Sequence, residues 1–265
     1  MKLLALALTM FALATPLGQS ADYLESRQGV DGGVSEPGAR ADPALTAWTM
    51  LALRAAGRDP GRASREYVRT APPADVTQTA LRALALGDDE LLSRLEAARR
   101  PDGRIGPLVN STAWSVLALR GAGRPAGAAT VRYLLRQQRK AGGWPWHPRG
   151  APDSNDTAVV MQALRAAGVR GRPLTRGARF LRRLQAPDGG FSLVPGRERD
   201  AQSTAWAIQG LLAAGVRPGK AAYRYLAALR RTDGSYRYSK RYAVTPVWVT
   251  AQVLPALAGK PFPLS

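Results

Sequence analysis

The residues best placed for chemistry begin at Asp153. There Asp153-Ser154-Asn155-Asp156 sets two carboxyls and an amide side by side immediately before Thr157. A carboxyl group can give or take a substrate proton when burial or a neighbour tunes its affinity for that proton. The same positions have a structural use. Asp42, Asp75, Asp153 and Asp200 each stand four residues before a threonine, where a short acidic side chain caps the first amides of a helix. Asp156 then falls at the third helical position and forms a capping-box-like pair with Asp153. A glycosidase would need two carboxyls about 5 to 10 Å apart, which Asp42, Asp153 and Asp200 satisfy only if their helix starts meet at one rim. The chain has no Cys and one His, His147, so thiol nucleophiles and thiolate metal sites are excluded. No metal and no cofactor is expected.

A second set of residues suits binding. Trp48, Trp114 and Trp206 each stand two residues after a threonine, with Leu81, Val159 and Gln252 at the same place in other copies. Asn110 and Ser111, Asn155 and Asp156, Gln202 and Ser203 precede the threonines and would form a polar rim where helix amino ends converge. Trp144, Trp146 and His147 lie in a Gly/Pro-rich turn from Ala141 to Pro152, placed to act as a lid or ligand contact. The candidate ligand-binding residues are Trp48, Trp114, Trp144, Asn155, Asp156 and Trp206. If the chain is an enzyme, its catalytic candidates are Asp153 and Asp156.

These residues are carried by a repeat. A phrase whose clearest copy reads Thr-Ala-Trp, then an Ala-Leu pair and a closing Gly, starts at Thr46, Thr79, Thr112, Thr157, Thr204 and Thr250. The starts are 33, 33, 45, 47 and 46 residues apart, a period that signals stacked supersecondary units. Thr204 to Gly215 is apolar nearly all round and must be interior. Gly57, Gly123, Gly168 and Gly215, eleven residues after their threonines, suit a left-handed helix end. An amphipathic helix precedes each buried one, over approximately 21–28, 62–70, 90–99, 128–139, 175–185 and 219–230. Gly-rich turns such as Asp188-Gly189-Gly190-Phe191 lie between outer and inner helix. Twelve helices in six hairpins follow. Six inner helices about 9 to 10 Å apart leave a hole about 4 to 5 Å in radius, which the tryptophans either plug or line as an aromatic-walled pocket.

Composition bounds the setting. The chain has 38 basic and 19 acidic residues, formally +19, with most arginines on the amphipathic outer helices. It carries no recognisable nucleic-acid module, so the charge implies only salt-sensitive attraction to anionic surfaces such as an envelope polymer. Residues 1–20 are laid out as a secretory signal peptide: Lys2, an apolar run from Leu3 to Leu13, then Pro16 and Gly18. That run is too short for a transmembrane anchor. A secreted, monomeric protein is expected, with residues 21–265 forming one domain.

Gln185-Ala186-Pro187-Asp188-Gly189-Gly190-Phe191 and Gln138-Arg139-Lys140-Ala141-Gly142-Gly143-Trp144 resemble the Gln-to-Trp repeats of squalene and terpene cyclases. The whole pattern resembles the terpenoid cyclase and protein prenyltransferase superfamily, across nearly all of residues 21–265. That resemblance implies an all-α fold, an (α/α)6 toroid of inner and outer helix rings. Asp153 to Ala158 resembles the Asp-x-Asp-Asp-Thr-Ala segment of class II cyclases, whose middle aspartate protonates an alkene. Here that position is Asn155, and an amide cannot deliver the proton. The zinc set of the prenyltransferases, Asp, Cys and His, has no counterpart, nor does the Asp-Asp-x-x-Asp magnesium run of class I enzymes. The reading is a non-catalytic toroid that binds a small apolar or isoprenoid-like ligand or an envelope partner. Its rivals are a divergent class II cyclase working through Asp153 or Asp156, and a basic scaffold holding an anionic envelope polymer.

Overall fold

A helix with no polar face is stable only where neighbours cover it on every side. In the computed structural model, which describes residues 16–72 and 75–264, that cover is a ring. Six inner helices, α2 (Pro43–Ala55), α4 (Val76–Leu86), α6 (Val109–Gly121), α8 (Ser154–Ala166), α10 (Ala201–Ala213) and α12 (Pro246–Leu257), pack each on the next, and α12 packs back on α2. All 13 residues of α10 except Gln202 and Leu212 are buried. Gly210 makes the close approach of α10 to α8 feasible, because a Cβ there would lie 2.9 Å from the Ala158 Cα. Outer helices α1 (Pro16–Glu25), α3 (Gly61–Thr70), α5 (Asp89–Ala97), α7 (Ala128–Arg136), α9 (Arg172–Arg183) and α11 (Lys220–Leu229) occupy the grooves behind them. The chain is an all-α toroid of six hairpins. Its strands β1 (Phe191–Ser192) and β2 (Arg199–Asp200) form one short antiparallel pair.

The helix ends follow the sequence. Asp42, Asp75, Asp153 and Asp200 accept from the backbone N–H groups of Leu45, Gln78, Asp156 and Ser203 at 2.7, 2.9, 2.8 and 2.7 Å. These carboxylates each satisfy an amide that the helix itself leaves without a partner. The repeated threonines have a second use. Thr46, Thr112, Thr157, Thr204 and Thr250 accept, at 2.9 to 3.0 Å, from the backbone N–H of Val34, Ile105, Trp144, Phe191 and Tyr236. Each hydroxyl therefore ties the residue after a glycine turn to the start of an inner helix. The tethered side chain fills the space between the two layers, where all five are buried.

Two expectations shift. The first outer helix spans Pro16–Glu25 rather than 21–28, because Gln28 already pairs with Val34 across the following turn. For the same reason α7 stops at Arg136, as Arg139 N–H donates to the Gly143 carbonyl. Residues 1–15 of the expected leader lie outside the described residues, whereas Pro16 to Ser20 form half of α1. Ser20 is buried and its hydroxyl donates to the Gly234 carbonyl at 2.6 Å, joining the first outer helix to the last glycine turn. Glu36 makes a second seam: its two carboxylate oxygens accept from Val247 N and Trp248 N at 3.0 and 2.8 Å, capping α12.

Candidate functional site

Residues two before and two after each repeated threonine are four apart, one helical turn, so they share a face. In this ring that face is the axis. The positions after the threonines are Trp48, Leu81, Trp114, Val159, Trp206 and Gln252, and those before them are Ala44, Thr77, Asn110, Asn155, Gln202 and Trp248. All twelve line one cavity of about 480 Å³, together with Gln78, Asp156 and Trp146. The arrangement is graded, with aromatic rings deep and amides at the mouth, where the six helix amino ends converge.

The floor is a set of edge-to-face rings. Trp48 meets Trp114 at 5.2 Å and Trp206 at 5.8 Å between centroids, and Trp114 meets Trp206 at 5.8 Å. Beneath them sits Phe262 of the C-terminal tail, 6.1, 5.9 and 6.2 Å from the same three rings. The hub is thus plugged below and open above, which joins the two arrangements that the sequence allowed. Trp206 Nε1 donates to Gln252 Oε1 at 2.7 Å and is held in place by it.

Asp156 is the buried acid of this wall. Its Oδ1 accepts from Asn110 Nδ2 at 2.6 Å, and its neighbour Asp153 hydrogen-bonds to it as well as capping α8. Burial first, and the Asp153 charge second, push the Asp156 proton affinity well above the usual carboxyl range. Asp153 is raised too, by burial, although hydrogen bonds from Asp156 oppose that rise. Two adjoining carboxyls in a desolvated site resist ionising together. Of the two, Asp156 is the more strongly raised, because the Asp153 charge adds to its burial. Asn110 is the donor to the conjugate base that the linear motif does not display, since it comes from the neighbouring helix.

Five of the six binding candidates, Trp48, Trp114, Asn155, Asp156 and Trp206, meet in this cavity. Trp144 does not, and that expectation is corrected. Its ring is fully buried between the layers, with Nε1 donating to the Leu134 carbonyl at 2.7 Å. It follows a glycine turn, and in this fold that position always feeds the interlayer core. Trp146, two residues on, takes the place at the mouth and is 55% exposed. Its carbonyl accepts from Val109 N and Asn110 N at 3.1 and 3.3 Å, capping α6, whose Leu108 has no capping oxygen. His147 turns away, its Nδ1 accepting from Arg149 N within the loop. Ser111 and Ser203 leave the rim as well: both are buried at helix starts, bonded to Leu108 and Asp200. The sequence reading passed over Trp248, although its place one turn before Gln252 was a usable signal. Asp42, Asp153 and Asp200 each cap their own helix, and neither Asp42 nor Asp200 lines the cavity, so they do not assemble a carboxylate pair there.

No protein-family model matches the chain. It is 31% identical over 200 residues to a drimenyl diphosphate synthase from Streptantibioticus cattleyicolor, a match covering 59% of this chain and 37% of that protein. The chain thus spans little more than a third of that relative. Among solved structures, the type II terpene cyclase MstE from Scytonema superposes with a TM-score of 0.70 and 18% identity, over 92% of this chain and 96% of that one. A variant of the same cyclase, in complex with its substrate geranylgeranyl dihydroxybenzoate, superposes with a TM-score of 0.66 and 16% identity, over 92% and 95% of the two chains. At these identities the structures establish a shared toroid.

Proposed function

We propose, from the premise that this chain has the α/α toroid of the type II terpene cyclases, that its axial cavity binds an isoprenoid-like ligand, apolar chain inward. The observation that carries the reading is the grading of the cavity from a floor of tryptophan rings to a rim of amides. Four indoles, those of Trp48, Trp114, Trp206 and Trp248, offer large apolar surface and ring faces suited to methyl and alkene groups. Asn110, Asn155 and Gln202 offer hydrogen bonds to an oxygen-bearing head. A volume of about 480 Å³ falls within the size range of small-molecule sites. Burial and Asp153 favour the neutral form of Asp156, which is the form that suits an apolar chain. Farnesol or geranylgeraniol added to the purified protein is expected to quench its tryptophan fluorescence and raise its melting temperature. The reading fails if saturating amounts of either change neither.

A second reading follows from Asp156. A carboxyl that is buried, raised in its hold on the proton and hydrogen-bonded by Asn110 in the wall of an aromatic cavity meets the needs of alkene protonation. The proton would leave Asp156 for an alkene carbon, with Asn110 stabilising the carboxylate left behind; the carbocation, held by indole faces, would close a ring onto a second alkene and then lose a proton from an adjacent carbon to water at the mouth, from which Asp156 is reprotonated. Asn155, at the position where class II cyclases carry their acid, would then orient rather than donate. Incubation with geranylgeranyl dihydroxybenzoate decides between the readings. A cyclised product of unchanged mass, formed by the wild type and lost in Asp156→Asn, establishes catalysis. Retention of unaltered substrate leaves binding alone.

The proposal includes export directed by the leader-like N-terminal segment, with processing upstream of Pro16, because Pro16 to Ser20 are built into α1. N-terminal sequencing of exported protein reads the junction directly.

A further inference from the structure

The hub of the toroid holds two spaces at opposite ends. The cavity at the mouth measures about 480 Å³, and a second of about 250 Å³ lies between the far halves of α2, α4 and α6 and the tail that follows α12. Leu51 and Leu84, five residues after their threonines, line the second space with Pro263 and Leu264. On the mouth side stands the Trp48, Trp114 and Trp206 triangle, with Phe262 against all three rings and next in the chain to Pro263 of the second space. Phe262 belongs to none of the six hairpins. It reaches the axis because residues 259–264 fold back under the ring, and its N–H donates to Gln162 Oε1 at 2.7 Å, anchoring the tail on α8. Only 3% of Phe262 is exposed.

We propose that the tail acts through Phe262 as a stopper that sets how long an apolar ligand the hub accepts, making Phe262 a specificity-determining residue. This deepens the isoprenoid-binding reading and rests on it for the ligand class, though not for the geometry. The tryptophans alone form a floor that can yield, because edge-to-face rings tilt when the space behind them is vacant. Phe262 fills that space and contacts all three. A smaller side chain there lets the rings settle downward and joins the mouth cavity to the space beside Pro263.

The test uses the full chain with Phe262→Leu and Phe262→Ala, and two ladders of probe. Geraniol, farnesol and geranylgeraniol read isoprenoid length, whereas straight alcohols from octanol to octadecanol read the length of the hole without needing an isoprenoid shape. Binding is followed by tryptophan fluorescence, and folding by circular dichroism and melting temperature. Phe262→Leu is expected to fold if the more severe Phe262→Ala does not, since large-to-small core substitutions leave the larger void. The optimum in the variants is expected to move at least one isoprene unit longer, with the longest probe gaining about tenfold relative to the shortest. A longer optimum with the straight alcohols, when no prenol binds, keeps the stopper and removes the isoprenoid. Folded variants that rank both ladders as the wild type does overturn the stopper while leaving the pocket. Absence of binding by any probe to any form overturns both.

Discussion

Asp156 holds its proton more tightly than an exposed carboxyl because burial removes the water that would stabilise a carboxylate and because Asp153 supplies a competing negative charge beside it. The consequence for stability has a definite sign. With its folded-state affinity raised, Asp156 gives up its proton in the unfolded chain first, so the native state loses stability as pH rises above about 4 toward the folded-state value. Asp156→Asn preserves the acceptor for Asn110 and abolishes this titration. The melting temperature of the variant relative to the wild type should therefore climb with pH across that window and be least favourable at its acidic end. A difference that stays flat with pH would mean that Asp156 is not held protonated in the fold. Asp188 and Asp233, in two of the glycine turns, shift the opposite way: burial is the largest single influence on each and raises it, but the hydrogen bonds from Gly190 and Arg199 to the first and from Ser235 to the second, with the nearby arginines, together leave both below the usual carboxyl range.

Five of the six repeats tie the turn to the inner helix through one threonine hydroxyl rather than by packing alone. Thr204 takes the Phe191 N–H at 2.9 Å and donates to the Asp200 carbonyl at 2.7 Å, with all three residues buried. Thr204→Val keeps the shape and removes both bonds, leaving a buried amide without its acceptor, at a cost of about 1 to 3 kcal/mol. Thr204→Ser should recover most of it. Denaturant titration of the three proteins measures this, and equal midpoints for Val and Ser would show that the hydroxyl is dispensable. Two inner helices depart from the aspartate-capped pattern, α6, which takes the Trp146 carbonyl, and, further, α12. No aspartate precedes it, Thr245 at φ 44° makes no cap, and Glu36 from the first repeat serves instead. A helix start that borrows its cap from the other end of the chain ties the sixth hairpin to the first.

Closure of the wheel is a property of the whole molecule, and three contacts make it: α12 on α2, Glu36 on α12, and α1 on the last glycine turn. Gly234 tests the third. Its φ is 88°, and a Cβ there would fall 2.4 Å from the Gln19 carbonyl oxygen, whereas Gly57, at φ 76°, has open space around it. Gly57→Ala should cost only the backbone strain, about 1 kcal/mol. Gly234→Ala adds a steric conflict across the seam and should lower the melting temperature further while speeding proteolysis within residues 16–40. Equal losses at the two sites would show that the seam contributes little. An intact seam also explains why a floor of three indoles can be held at fixed spacing: a closed ring prevents the inner helices from drifting apart.

The sequence by itself determined the ring. Six phrases with threonine and leucine in fixed register, four of them with the capping aspartate and four with the closing glycine, dictate helix starts, buried faces and helix ends, because capping, burial and left-handed termination are local demands. It also placed Trp48, Trp114 and Trp206 on one stripe, since each stands two residues after its threonine and equivalent helices present equivalent positions to the same side. Only the tertiary structure decided what the stripe encloses. Whether the indoles meet depends on the radius of closure, and Phe262 reaches them from outside the repeat, where no periodicity points to it. Asn110 and Asp156 lie 46 residues apart in the chain and meet because neighbouring inner helices start level with each other. Trp144 and Trp146 show the same division at its finest: two tryptophans in one loop look alike in sequence, yet the Thr157 bond draws the first into the core and leaves the second at the mouth.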